Sequence, residues 1–287
     1  MEIIRAAALG MCFGVRDALR TTRQIESASD STIYGELVHN PLVLVELEHR
    51  GFQLLAEDHR TRIPATSNVV ITAHGISDRE RARLADAGKQ LIDATCPLVR
   101  RAHQAAQQLA QDGFHVLVIG RPGHVEVRGL TEDLGSYDVV SSLGQVQFWP
   151  YAKLGVICQT TTPPRQAAEI VAAIRERNPQ AEVRFVNTIC QPTLDRQSAL
   201  EDLCGRVDAV VVVGGANSNN TRQLVQFARE LGTPAWQVQS AAELRPEWFE
   251  DCRTVGLTAG TSTLDETVDE VQAALQRIPN VQRRATA

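Results

Sequence analysis

The sequence predicts an α/β protein made of three small lobes with mainly parallel sheets. Two observations carry the prediction. Short runs rich in β-branched residues alternate with longer amphipathic segments along the whole chain, which is the pattern of strands joined by covering helices. Three cysteines, Cys12, Cys96 and Cys190, each stand where an apolar stretch ends and a helix-like stretch begins, about one third of the chain apart.

In chain order, the apolar stretch at residues 2–9 runs into GMCFGVRDAL. PLVLVELEHRG and SDRERARLADAG then read as helices on either side of the strand NVVITA. QLIDATC leads into the helix PLVRRAHQAAQQLAQDG, followed by the strands FHVLVIG, YDVVSS and KLGVICQ. The helix PPRQAAEIVAAIRERN precedes the strand EVRFVN, whose Cys190 opens TLDRQSALEDLCGR. DAVVVVGG, TRQLVQFARELG, TVGLTAG and TLDETVDEVQAALQRI complete the alternation. Glycine follows several of these helices, as expected for helix stops. No Gly/Ser-rich or Pro-rich linker marks a boundary, so the divisions are placed at the cysteines. This gives lobes at residues 1–96, 97–190 and 191–287.

Composition narrows the function classes. The 287 residues provide enough chain for three small cores, and 43% hydrophobic with 22% charged residues is ordinary for a globular enzyme. No apolar run approaches the roughly 20 residues that span a bilayer, and the N-terminus lacks a basic region followed by a long apolar core. A cytoplasmic protein without a membrane role is therefore expected. A net charge of -5 without a basic cluster speaks against nucleic acid as a partner. A locally bound small anion remains compatible.

Six cysteines without a CxxC pair do not suggest a disulfide framework. Cys158 lies within a strand, Cys204 within a helix and Cys252 in a polar stretch, and all three read as inert. Cys12, Cys96 and Cys190 lie at strand ends, where open α/β sheets place ligand and catalytic groups. Zinc, redox chemistry or a cluster would each suit three such thiols. The strand-end turns are also dense in polar residues: VHNP with His39, TAHGIS with His74, GRPGHVEVRG with His124 and Glu126, and CQTTTPP with Thr160. GGANSNNT adds Ser218, Asn219 and Asn220, and TAGTSTLDE adds Ser262. Such donors cap helices on structural grounds alone. Together with imidazoles and helix N-termini they also suit an oxyanion or a diphosphate.

These residues resemble the LytB family of 4-hydroxy-3-methylbut-2-enyl diphosphate reductases. The resemblance spans almost the whole chain and rests on GMCFGVRDAL, ELVHNP, TAHGIS, DATCPLV, GHVEV, CQTT, NTICQPTLDRQ, GGANSNNTRQL and TAGTST in the family's order. It implies a pseudo-threefold trefoil of lobes around a [4Fe-4S] cluster, ligated by Cys12, Cys96 and Cys190 with one iron left open. It further implies reductive dehydroxylation of the allylic diphosphate to isopentenyl and dimethylallyl diphosphates, the last step of the methylerythritol phosphate route. On this reading Glu126, with Thr160 and His124, supplies the proton to the departing oxygen; a carboxyl in a closed pocket can hold a proton near neutral pH. His39, His74, His124, Ser218, Asn219, Asn220 and Ser262 bind the diphosphate. With no GxGxxG fingerprint, electrons are expected from a ferredoxin or flavodoxin.

The sequence departs from the usual family pattern at Met11, Phe13, Val125, Asp195 and Asn219. A paralogue acting on another allylic or diphosphate substrate is the nearest alternative. A non-catalytic iron-sulfur or zinc sensor would use the same cysteines without needing Glu126 or the polar turns.

Overall fold

The computed structural model describes residues 1–278, which form nine α-helices, twelve strands and several short 3-10 turns. The strands are β1 (Glu2–Arg5), β2 (Ser31–Tyr34), β3 (Gln53–Leu55), β4 (Asn68–Ile71), β5 (Gln90–Asp93) and β6 (His115–Ile119). They continue with β7 (Tyr137–Val140), β8 (Lys153–Cys158), β9 (Glu182–Phe185), β10 (Ala209–Val213), β11 (Ala235–Val238) and β12 (Thr254–Ala259). The helices are α1 (Phe13–Arg23), α2 (Pro41–His49), α3 (Asp78–Asp86), α4 (Pro97–Gln111) and α5 (Val125–Thr131). After them come α6 (Pro164–Arg177), α7 (Gln191–Cys204), α8 (Asn219–Glu230) and α9 (Asp265–Arg277).

Three four-stranded, wholly parallel sheets result, in the orders β3-β2-β4-β5, β7-β6-β8-β9 and β11-β10-β12-β1. The first two follow one rule: the second strand in sequence lies outside the first, and the third and fourth extend the opposite edge. The last sheet obeys the same rule if β1 is counted as its fourth strand. The N-terminal strand pairs with β12 at Glu2–Thr254 through Arg5–Leu257. Residues 1–12 thus pack with the last third of the chain rather than with residues 13–96. Pairing between residues some 250 positions apart leaves no local trace, and the sequence reading had placed Cys12 with the first lobe.

The chain divides into two compact units. One comprises Met1–Cys12, His39–Pro41 and the chain from Gln191 onward; the other comprises Phe13–Val38 and Leu42–Cys190. The first unit holds the β11-β10-β12-β1 sheet, and the second holds the other two sheets. The central strands are buried along their length, as with VVV at 211–213 and LVI at 117–119. That explains why they read as continuous apolar runs rather than alternating ones: helices cover both faces of a parallel sheet. Val210, Val212, Leu200 and Leu224 form a core on one face of the β10 sheet, and Val211, Val213, Leu257 and Val271 form one on the other. The β6 sheet is sandwiched likewise, with Leu117, Ile119 and Ile170 on one side and Val116, Val118 and Leu130 on the other.

The seven helices read from the pattern of residues 41–278 all form within a few residues of their expected limits. The short strands β2, β3 and β11 had no counterpart in the sequence reading, since three or four residues are too few to show a period. GHVEV, read as a turn, is instead the first turn of α5, capped by His124.

Candidate functional site

Each sheet presents a crevice between its first and third strands, where the strand order reverses and the connections leave on opposite faces. Ligands bind at such switch points, beyond the carboxyl ends of the strands. In the β2 sheet, β2 and β4 lead into the segments ending at His39 and His74. In the β6 sheet, β6 and β8 lead to His124 and Thr160. In the β10 sheet, β10 and β12 lead to Ser218 and Ser262. The three cysteines follow the fourth strand of each sheet: Cys12 after β1, Cys96 after β5 and Cys190 after β9. A helix begins at the next residue in every case. The threefold spacing of the sequence is thus a structural equivalence, with each cysteine immediately before the first residue of a helix.

In the two-sheet unit, a chain of hydrogen bonds joins one cysteine to the proposed acid. The Cys190 N–H donates to the Thr160 carbonyl at 2.9 Å, and the Thr160 N–H donates to Glu126 Oε1 at 2.7 Å. The Glu126 N–H in turn donates to His124 Nδ1 at 3.1 Å. Glu126 is 2% exposed, so its carboxyl is neither solvated nor on a strand edge. Because His124 Nδ1 accepts a hydrogen bond, the network assigns the proton of a neutral imidazole to Nε2. The His74 ring meets that of His124 edge-on, with centroids 5.7 Å apart. Cys96 directly precedes α4 without a side-chain capping bond, and its N–H donates to the carbonyl of Ala73, the neighbour of His74, at 3.1 Å.

The other unit gathers Cys12, His39, Ser218, Asn220 and Ser262. Thr261 ties two of them together: its carbonyl accepts from the Cys12 N–H at 3.0 Å, and its N–H donates to Asn220 Oδ1 at 3.0 Å. Ser262 Oγ donates to the His39 carbonyl at 3.0 Å, while Asn40 Nδ2 donates to the Ser262 carbonyl at 2.7 Å. Gly215 permits the close approach of this segment, since a Cβ there would lie 2.9 Å from the His39 carbonyl oxygen. Ser218 Oγ accepts from the Thr221 N–H and caps α8, and Asn219 is the first residue of that helix. Asn220 is 2% exposed, and its Nδ2 donors have no acceptor among the described residues. A buried amide left unpaired is costly. With Oδ1 committed to Thr261, Nδ2 is oriented as a donor for a ligand.

Cys158 is buried in β8, and burial pushes its thiol up to about 12, whereas the other five cysteines, Cys12, Cys96 and Cys190 among them, are partly accessible. Burial also raises the Cys204 and Cys252 thiols. Space has been kept beside Cys96: a Cβ on Gly14 would lie 2.5 Å from the Cys96 sulfur. Gly14→Ala is therefore expected to displace that sulfur and lower iron content severely, with little change in far-UV circular dichroism. Full iron loading of the variant would show that the sulfur does not need this room. Among the described residues, no three His, Cys, Asp or Glu side chains converge to hold a single ion.

His103, a histidine outside the polar turns, lies in α4 two turns beyond Cys96. A Cβ on Gly129 would lie 3.1 Å from its ring, and one on Gly75 would lie 3.6 Å from Nε2. The imidazole thus packs between the His74 turn and the helix of Glu126. Only its placement in space identifies it, because a histidine on a polar helix carries no sequence signal. Burial lowers its pKa, against the opposing pull of Asp133 and Asp78. The folded state then binds its proton less readily than the unfolded state, so stability is full above about pH 6.5 and declines as the pH falls below it. The melting temperature is expected to fall between pH 7 and 5.5, with a shallower fall in His103→Gln; identical slopes would dismiss His103 as the source.

Two departures from the family pattern have structural readings. Val125 occupies the first position of α5, where proline is favoured but not required, so the helix bearing Glu126 forms with either residue. Asp195 is exposed and accepts from Gln191 Nε2 at 2.7 Å, so its charge is held on the surface of α7.

The family model for the LytB protein matches residues 3–276. A 4-hydroxy-3-methylbut-2-enyl diphosphate reductase of Anaeromyxobacter sp. (strain Fw109-5) is 36% identical over 279 residues, covering 96% of this chain and 97% of the relative. The reductase of the same name from Methylibium petroleiphilum is 37% identical, covering 100% of this chain and 88% of the relative. Among solved structures, the E-1-hydroxy-2-methyl-but-2-enyl-4-diphosphate reductase of Plasmodium falciparum superposes with a TM-score of 0.88 at 27% identity. That match covers 98% of this chain and 89% of the other. No helix among the described residues is long and apolar enough to cross a membrane.

Proposed function

The chain belongs to the LytB family, and from that premise we propose that it reduces (E)-4-hydroxy-3-methylbut-2-enyl diphosphate to isopentenyl and dimethylallyl diphosphates. The observation that carries the reading is the hydrogen-bonded chain from Cys190 through Thr160 and Glu126 to His124. It places a buried carboxyl within a few bonds of a strand-end cysteine, and a sensor would have no use for it.

Cys12, Cys96 and Cys190 are the residues that would hold a [4Fe-4S] cluster, and their accessibility, helix starts and the room beside Cys96 fit that role. When bound, the cluster supplies electrons and, at the iron without a cysteine, Lewis acidity. The chain's own residues have the remaining work: holding the diphosphate, orienting the allylic alcohol and delivering protons as the C–O bond breaks. Two electrons and two protons convert the alcohol to the alkene and water. Glu126 Oε1 already receives the Thr160 N–H, so a proton on this carboxyl resides on Oε2. From there it passes to the departing hydroxyl oxygen, with the Thr160 hydroxyl as orienting partner. His124, neutral and with Nε2 as donor, assists without carrying the acidic proton.

Asn220 Nδ2, the Ser218 hydroxyl, Asn219, and the imidazoles of His39, His74 and His124 form the diphosphate set, joined by the Ser262 hydroxyl once its proton turns from the His39 carbonyl to the ligand. They are neutral donors placed at helix starts, which bind an anion without Lys or Arg. Binding energy from the diphosphate positions the reacting carbon. An external ferredoxin or flavodoxin provides the electrons.

Anaerobic purification should give a brown protein with close to four iron and four sulfide per chain, the stoichiometry of a [4Fe-4S] cluster. Reduced with dithionite or a reduced ferredoxin, it should convert the hydroxymethylbutenyl diphosphate to both products. A colourless zinc protein would overturn the cluster assignment, and a loaded but inactive one would overturn the substrate assignment.

A further inference from the structure

Behind the TAHGIS turn, within the two-sheet unit, lies a pocket of about 280 Å³ that the proposed reaction does not use. Arg60, Arg79, Arg83 and Arg128 line it with Glu80 and Glu132. We propose that this pocket is a second anion site, built for the phosphoryl group of a small phosphorylated metabolite.

Three of the arginines have carboxylate partners, Arg60 with Glu57, Arg83 with Glu80 and Arg128 with Glu132, and Arg79 is left in excess, yet the donors are not all used. Arg83 is saturated: Nε and Nη2 donate to the two Glu80 oxygens at 2.9 and 2.5 Å, Nη1 to the Thr61 carbonyl at 3.0 Å, and Nη2 also to Tyr34 Oη at 2.8 Å. Glu80 is thereby neutralised and the wall is fixed. The other three guanidiniums have capacity to spare. Arg60 is 6% exposed and turns Nε and Nη2 toward Glu57, at 2.9 and 3.1 Å, while Nη1 makes no hydrogen bond among the described residues. Arg128 makes only long contacts, 3.4 Å to Glu132 and 3.5 Å to the Glu57 carbonyl. Arg79 lies at the exposed rim, and its guanidinium has no partner among the described residues.

Burial holds Arg60 below its ordinary pKa range; Glu57 and Tyr34 oppose the shift, and the like charge of Arg128 adds to it. Two guanidiniums within electrostatic reach inside a small cavity repel one another, and an anion between them relieves both. A phosphoryl group suits forked, planar donors better than a point anion does. A volume at the low end for ligand pockets selects a small molecule. Glu132, whose Oε2 accepts from the Ser77 hydroxyl at 2.9 Å, offsets part of this potential through its 3.4 Å pairing with Arg128, so that four guanidiniums stand against the three carboxylates of Glu57, Glu80 and Glu132.

The pocket also touches the segments that carry the candidate site. Ile76 and Gly129 line it. Ile76 lies two residues after His74, and Gly129 one turn after Glu126. An anion held here would brace the His74 turn against the Glu126 helix, giving the site a regulatory input.

The test is calorimetric titration of inorganic diphosphate into the anaerobically purified protein, the Arg79→Ala/Arg128→Ala variant and Asn220→Ala, with hydrogen exchange recorded in parallel. The expected result is binding that survives Asn220→Ala, protects residues 76–83 and 126–132, and weakens at least tenfold in the arginine variant. Unchanged affinity in the arginine variant, or protection absent from these two segments, would overturn the proposal. The single Arg79→Ala replacement alters only a rim side chain without bonds; it keeps the test decisive if the double variant misfolds. An Asn220→Ala protein indistinguishable from wild type would count against the diphosphate set of the proposed reductase, and the arginine comparison would still be readable.

Discussion

Glu126→Gln is expected to leave iron content and substrate affinity at wild-type values while lowering turnover about 10²- to 10⁴-fold, the usual contribution of a positioned proton donor. The choice of glutamine follows from the geometry. Its amide oxygen can still accept the Thr160 N–H that Glu126 Oε1 accepts at 2.7 Å, so the buried backbone donor stays paired. Only the acid is lost, because an amide nitrogen in place of Oε2 donates hydrogen bonds without releasing a proton. Alanine would instead strand the Thr160 N–H in a buried position at a cost of about 1–3 kcal/mol and confuse stability with chemistry. Single-turnover decay of the reduced protein with substrate, measured beside steady-state rates, separates proton delivery from electron supply. A kcat within threefold of wild type would remove Glu126 from the proton path.

The contrast between what the sequence disclosed and what it concealed follows from the range of the interactions concerned. Helices α4 and α6 were legible because 14 or 15 residues display a 3.6-residue period, and β10 because a strand buried on both faces is an unbroken apolar run. The place of β1 was hidden, since its partner β12 is some 250 residues away. The helical state of GHVEV was hidden for another reason: seven residues with a histidine cap give neither a period nor a familiar start signal. The polar turns could be listed from the sequence, but not which donors were spent. Only the structure distinguishes the Ser262 hydroxyl, which donates to the His39 carbonyl, from Asn220 Nδ2, which is buried with no acceptor among the described residues. Pairing of Thr160 with Glu126 likewise crosses from β8 to β6 and depends on the strand order of that sheet.

Cys190→Ser is expected to lose most of the bound iron and the brown colour, with activity falling below detection, whereas Cys158→Ser keeps both. The serine protein should fold, because the Cys190 backbone N–H still reaches the Thr160 carbonyl and α7 still begins at Gln191. What changes is the ligand: an alkoxide is far harder to form than a thiolate and is a poorer partner for iron in a sulfide cluster. No other cysteine is placed to substitute. Cys158 is closed inside β8 with its thiol held up to about 12, Cys204 ends α7 with its thiol raised chiefly by burial, and Cys252 lies beside Asp208 and Asp251, whose charges add to its own burial. Equal iron in Cys190→Ser and wild type would mean that the three equivalent strand-end cysteines are not the ligand set. The structural repeat would then reflect the fold alone, since the same sheet order places a residue at that corner whether or not it binds iron.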